Sequence, residues 1–359
     1  MRKLIFIISM SILMIGGSIY SMDEETLNKM LIEGAKNGDM ALTEQALDLR
    51  PNANFQDSNG KTALIYAVIN GDEKMVRLLL LSEGAKTYIQ DNEGETALTI
   101  ALIGKKKAIV KILLEYGESL DLPNKIMQEV SSDMSNLIQN EKLLRAAQKN
   151  DIAQVQEALK EGADVNWLRN RDDFRDKSAL IYAVHNGNIW LVKLLLDSKA
   201  DVNQCVRKET ALGEAISKNR KDIVKLLLQY KADPNIRISL AQYAALTRAI
   251  IYKNKDIFKL LLEAGADPDT QDKYKHTPLT DAVERGLEEE VIMLLKAGAL
   301  LDLRDRYGKT ALDIAIEKKN KKLESLIRAE YKRRKEMIKE AIGTNLIPDL
   351  SNIVCDYYL

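Results

Sequence analysis

Two histidines, His185 and His276, and two cysteines, Cys205 and Cys355, are the side chains of this 359-residue chain best suited to nucleophilic, acid–base or metal chemistry near neutral pH. A nucleophile needs a base held within hydrogen-bond reach. The histidines fall in separate segments, one near the end of a helical run and one in a turn, so neither is expected to serve such a pair. So few Cys and His, without repeated spacing, make neither a Cys/His zinc pattern nor a disulfide scaffold. The acidic clusters Asp172-Asp173 and Glu288-Glu289-Glu290 lack the alternating oxygen ligands of a calcium loop and read as solvated charge. No Gly-x-x-x-x-Gly-Lys-Ser/Thr loop, His-Glu-x-x-His pair or Gly-x-Gly-x-x-Gly turn occurs. No catalytic, cofactor-binding or metal residue is assigned, and no enzyme activity is expected. Basic and acidic residues balance at 53 each, with a pI near 6.8, which removes the cationic excess of a dedicated nucleic-acid binder. What remains is the chemistry of a surface.

The elements that carry that surface follow from composition. The chain is 46% apolar but only 5% aromatic, so its core is built from Ala, Leu, Ile and Val, which favours closely packed helices. At 359 residues it is too long for one ordinary core. The division is by repetition. A Thr-Ala-Leu-like tripeptide starts at Thr62, Thr96, Ser178, Thr210, Ala244, Thr277 and Thr310, mostly 32 to 34 residues apart. About twenty-one residues after most starts comes an exit signature such as Lys199-Ala200-Asp201 or Gly265-Ala266-Asp267. The exit signature alone recovers two drifted units, starting near Lys29 and Glu141, for nine in all. The opening Thr or Ser is placed to cap a first helix. Val192, Leu195 and Leu196, like Val224, Leu227 and Leu228, form one stripe of a second helix. A two-helix unit of about 33 residues cannot bury both faces, so neighbours must stack. Glycine suits the position after the second helix, where a left-handed backbone is needed; Arg50, Lys199 and Lys231 stand there instead.

These residues resemble the ankyrin repeat, whose pattern is Gly-x-Thr-Pro-Leu-His-x-Ala-Ala, then x-x-Val-x-x-Leu-Leu, then Gly-Ala-Asp-x-Asn. The clearest copies run from Gly60 to Val68 with Val76 to Leu80, from Ser178 to Val184 with Val192 to Leu196, and from Ile257 to Asp267. The resemblance implies an all-α ankyrin-repeat solenoid of helix-turn-helix units with short β-hairpin loops. The family's histidine after Leu is replaced throughout, by Ile65, Thr99, Ile181, Gly213, Thr247, Thr280 and Asp313, so the inter-repeat hydrogen bonds it makes in the family are not expected from these positions. Start-to-start spacing stretches to 45 residues between Thr96 and Glu141, which suggests two stacked arrays. The expected organisation is a first array over 22–124, a cap unit plus two repeats; a connector over 125–140; a second array over 141–331, a cap unit plus five repeats; and a helical tail over 332–359. One continuous solenoid with a bulging loop is the alternative.

In this family partners bind along the hairpin tips and first helices. The candidates implied here are Trp167, Phe174 and Arg175 in a lengthened hairpin, Arg207 and Lys208, Tyr243, Tyr274 and Lys275, and Arg306 and Tyr307, with Trp190 at the start of a second helix. Aromatic residues and arginine exposed together are the composition of binding hot spots. The expectation is a monomeric scaffold for a protein partner, not for nucleic acid.

Both ends differ from the repeats. Arg2 and Lys3, an apolar run from Leu4 to Ile19 and the small residue Ser21 have the order of a secretory signal, with cleavage expected after Ser21 and export of the remainder. An uncleaved membrane anchor is the alternative, disfavoured because the apolar run is short of the roughly 20 residues a spanning helix needs. The cationic run Lys332 to Lys335 reads as a solvated helix end. The segment from Ile347 to Leu359 reads as a short amphipathic helix closing the last repeat, or, in an adaptor, recruiting a second protein.

Overall fold

A computed structural model describes residues 23–343, apart from 83, 118, 119, 121 and 170–176. The expected signal over 1–21, the tail from 344 to 359 with Cys355, and Phe174 and Arg175 lie outside the described residues. Contacts divide the chain into two compact units, 1–142 and 143–359.

In the first unit α1 (Glu24–Asn37) and α2 (Met40–Asp48), α3 (Ala63–Asn70) and α4 (Glu73–Leu81), and α5 (Ala97–Ile103) and α6 (Lys107–Glu115) form pairs, followed by α7 (Asn124–Glu129). Helix α8 (Ser132–Lys149) runs through both the unit boundary and the expected 140/141 junction. In the second unit α9 (Ile152–Lys160) precedes five pairs: α10 (Ala179–Asn186) with α11 (Ile189–Asp197), α12 (Ala211–Ser217) with α13 (Lys221–Gln229), α14 (Ala245–Ile251) with α15 (Lys255–Glu263), α16 (Pro278–Glu284) with α17 (Glu288–Lys296), and α18 (Ala311–Glu317) with α19 (Lys321–Gly343). Helix α19 crosses 331/332 without a break, so the cationic run belongs to the last repeat's second helix. Extended structure among the described residues is limited to the isolated bridges Val206–Glu209 and Ile238–Tyr243, at hairpins.

First helices pack on the next first helix along α1, α3 and α5 and along α10, α12, α14, α16 and α18, and second helices do so from α4 to α6 and along α11, α13, α15, α17 and α19, the stacking that one-sided apolar stripes require. Every first helix from α3 onward carries a buried alanine at its contact face, namely Ala67, Ala101, Ala183, Ala215, Ala249, Ala282 and Ala315. A methyl group there lets neighbouring backbones approach closely, which explains the scarcity of rings. Phe258 is the one large aromatic side chain fully buried among the described residues.

Polar groups lock the stacking. Asn70 Nδ2 donates to the Ala35 carbonyl, Asn186 Nδ2 to Ala147 and Asn254 Nδ2 to Ile216, each reaching back into the preceding pair. At the exits Asn166 Oδ1 accepts from the Asp201 amide at 2.7 Å, Asn203 from Asp233 at 2.8 Å and Asn235 from Asp267 at 2.8 Å; Asp269 takes the same role toward Leu300 at 2.7 Å. The capping expectation holds at Thr62, Thr96, Ser178, Thr210, Thr277 and Thr310, whose side chains accept from the amide three residues on; Ala244 makes no cap.

The missing histidine is replaced in two ways. Thr99, Thr280 and Asp313 accept a hydrogen bond from the capping residue's own amide, completing reciprocal capping boxes. At Gly213 the preceding Glu209 accepts from the Thr210 amide at 3.0 Å and is gripped at both oxygens by Arg248 of the next first helix, at 2.6 and 2.7 Å. A Cβ at 213 would lie 2.2 Å from Ile238 Cδ1 and 2.3 Å from both Arg248 Nη1 and Glu209 Oε1, so these side-chain ends would have to shift to admit it.

Candidate binding surface

The tips of the second unit's hairpins are held by their own carboxylates and by one another. Asp272 Oδ1 accepts from the amides of Tyr274 and His276, and Asp305 Oδ1 from those of Tyr307 and Lys309, turning each tip outward. Successive tips are then joined by backbone bonds: the Ser239 amide donates to Lys208 at 2.7 Å, Lys273 to Ala241 at 3.1 Å and Arg306 to Tyr274 at 3.0 Å. Residues from four hairpins, separated by about 33 positions each, become one row.

On that row the side chains interleave. The Arg306 guanidinium carbon lies 5.3 Å from the Tyr274 ring centre and 4.7 Å from that of Tyr307, while Lys273 Nζ lies 4.9 Å over Tyr274. These are cation–π distances, which at an exposed site favour this placement of the arginine by about 0.5–1 kcal/mol per contact. Tyr307 is 67% exposed and Leu240, on the preceding tip, 76%. Tyr243 is half-buried, and burial first and then the charges of Asp281 and Asp272 push its phenol up.

The charge of the row differs from that of the chain. Arg207, Lys208, Arg237, Lys273, Lys275, Arg304 and Arg306 are all exposed. The nearby acids are engaged: Glu209 by Arg248, and Asp272 and Asp305 by backbone amides in buried positions. The accessible face is therefore cationic and aromatic on a chain of zero net charge.

Of the residues predicted from sequence, Arg207, Lys208, Tyr243, Tyr274, Lys275, Arg306 and Tyr307 lie on these successive tips. Trp167 does not stand free: it is half-buried and packs against the unit's hydrophobic core. Trp190 is 72% exposed, but it sits on α11, a second helix, and not on a tip. Phe174 and Arg175 are outside the described residues.

Sequence reasoning missed two charged clusters along the first helices. Glu214 Oε1 lies 2.9 Å from Lys177 Nζ and 2.5 Å from His185 Nδ1. Burial pushes the Glu214 carboxyl up, but the His185 and Lys177 contacts outweigh it and hold it below its usual value. The other cluster centres on Asp281 of α16. Its carboxyl is pushed up to about 6, first by burial and then by the Asp272 and Glu284 charges, against the pull of His276 and Arg285. Its Oδ2 is buried with no hydrogen-bond partner among the described residues. The sequence signal for these groups was weak: Glu214, Arg248 and Asp281 are charges in helices whose equivalent turns are mostly apolar.

Stacked helical pairs bearing a row of outward tips define a repeat-built scaffold whose usable chemistry is its surface. The chain belongs to the ankyrin-repeat family: the family model described as ankyrin repeats matches in three copies, over residues 31–124, 143–238 and 245–335. Ankyrin repeats generally mediate protein–protein interaction and are typically non-enzymatic. A mouse (Mus musculus) protein, 2-5A-dependent ribonuclease, is 44% identical over 64 residues, which cover 17% of this chain and 9% of that protein. The chain thus matches under a tenth of that relative's length.

Proposed function

We propose that the protein is an exported, non-catalytic scaffold that holds an acidic surface of a protein partner along the hairpin tips of its second unit. One observation carries this reading: Arg306 placed within cation–π distance of both Tyr274 and Tyr307 on a row whose exposed charges are cationic. An arginine favoured in this placement by flanking rings loses less freedom on binding and offers both charge and apolar area, the pattern of an interface anchor. The order of charge, apolar run and small residue over 1–21 supports export. Among the described residues no helix is long and apolar enough to cross a membrane. The ribonuclease activity named for the mouse relative is not part of the proposal.

Affinity capture with the full chain, comparing wild type with Arg306→Glu and Tyr307→Ala, tests the reading. Each change is expected to weaken partner binding by about 5- to 30-fold, the effect of losing an anchor worth about 1–2 kcal/mol, and wild-type binding is expected to fall as salt rises. Trp190→Ala, away from the row, is expected to leave binding intact. Full retention of the partner by the Arg306→Glu, Tyr307→Ala double variant would remove the assignment.

A further inference from the structure

We propose that His276, Asp281 and Glu284 form a binding site for a divalent transition-metal ion of the zinc type. One ligand atom from each of the three lies within 4.8 Å of the others, and His276 Nδ1 is 3.8 Å from Asp281 Oδ1. Ligands at zinc bond lengths occupy tetrahedron corners about 3.4 Å apart, so small side-chain rotations close the site. Asp281 and Glu284 are three residues apart on α16, on one helix face, and His276 reaches over from the hairpin that leads into that helix.

Two further observations separate this trio from an ordinary surface cluster of acids. Asp281 is only 7% exposed, and its Oδ2 is buried without a partner. An ionised carboxylate oxygen so placed is costly unless a cation or a proton meets it, and no hydrogen-bond donor among the described residues does. The second observation is the other ring nitrogen. His276 Nε2 faces Asp305 Oδ2 at 3.9 Å, and Asp305 is itself held through Oδ1 by the Tyr307 and Lys309 amides. At 3.9 Å this contact is longer than a hydrogen bond, but it places a carboxylate beside the far nitrogen, the arrangement that orients metal-bound imidazoles once a small rotation brings the two together. A cavity of 160 Å³ bordered by His276, Glu284 and Asp305, and also by Lys309 and Lys318, opens beside two of the three ligands; Asp281 does not line it. One imidazole with two carboxylates suits zinc and its first-row neighbours better than magnesium or calcium, which favour all-oxygen shells.

The experiment titrates the full chain, stripped with EDTA, with Zn2+ by calorimetry and with Co2+ by visible absorption. The expected result is one equivalent bound, with the d–d bands of low-coordinate Co2+ and no sulfur-to-metal charge-transfer band. His276→Gln and Glu284→Gln are expected to lower the affinity at least tenfold, whereas the Cys205→Ser, Cys355→Ser double variant leaves it unchanged. Glu284 is exposed and pairs with Lys318 at 3.5 Å, a surface ion pair that a bound metal would displace; its replacement therefore tests ligation at little cost to the fold, and circular dichroism checks that both histidine and glutamate variants are folded. Absence of saturable binding, binding that survives both ligand variants, or binding lost with the cysteines would each overturn the site.

Discussion

Replacing Asp281 by Asn keeps the shape of the side chain and removes its charge, which isolates the cost of ionising a carboxylate inside the second unit. In the folded chain this group is 7% exposed and its carboxyl is pushed from 3.8 up to about 6, with burial the leading cause. The folded state therefore holds the proton where the unfolded chain has released it. Stability contributed by this group falls as pH rises from about 4 to about 6 and is level above, because the folded state binds more protons across that window. At about 1.4 kcal/mol per pH unit, the span from 3.8 to about 6 corresponds to a cost of about 3 kcal/mol at neutral pH and above. Asp281→Asn is thus expected to stabilise the chain by up to about 3 kcal/mol at about pH 8 and by close to nothing at about pH 4. Urea unfolding of wild type and variant at both pH values, with EDTA present to exclude a metal contribution, reads the difference directly. A variant no more stable than wild type at pH 8, or one equally stabilised at both pH values, would refute the reasoning, since only an ionisation cost confined to the folded state has this pH signature.

Two further substitutions test the backbone and the packing. Lys199 and Lys231 have φ of 69° and 67° after the second helices, in the left-handed region, so Lys199→Gly and Lys231→Gly are each expected to stabilise the chain by up to about 1 kcal/mol; lower urea midpoints for both would contradict this. Gly213→Ala shifts the Arg248–Glu209 side-chain ends, at a cost of about 1–3 kcal/mol, against a helix-propensity gain of about 1 kcal/mol, so a net loss of up to about 2 kcal/mol is expected, and a raised midpoint in the same assay would show that the pair moves aside freely.

The array was legible in the sequence because each of its requirements is local or periodic. A capping Thr or Ser acts over three residues, an amphipathic stripe over one or two turns, and the repeat of both every 33 or so residues leaves stacking as the only way to bury the stripes. Even the left-handed lysines were readable, since a register of glycines elsewhere marks their position. The candidate surface was legible only in part. Seven of the eleven predicted residues fall on the row of tips because tips occur at fixed places in the register. That Trp167 packs partly against the core was not readable, because the depth of a side chain beside the core depends on the neighbouring pair, and that depth leaves no local trace.

By itself the sequence determined the kind of fold, the starts of most first helices and the register of the tips between pairs, all consequences of short-range geometry repeated along the chain. Tertiary structure alone decided which of those side chains meet. Arg306 between Tyr274 and Tyr307, Arg248 on Glu209, and His276 between Asp281 and Asp305 join residues that come from neighbouring hairpins and helices or lie on either side of a turn. Their distances, and the buried charge of Asp281, are set by how one repeat rests on the next, a property of packing that no single repeat encodes.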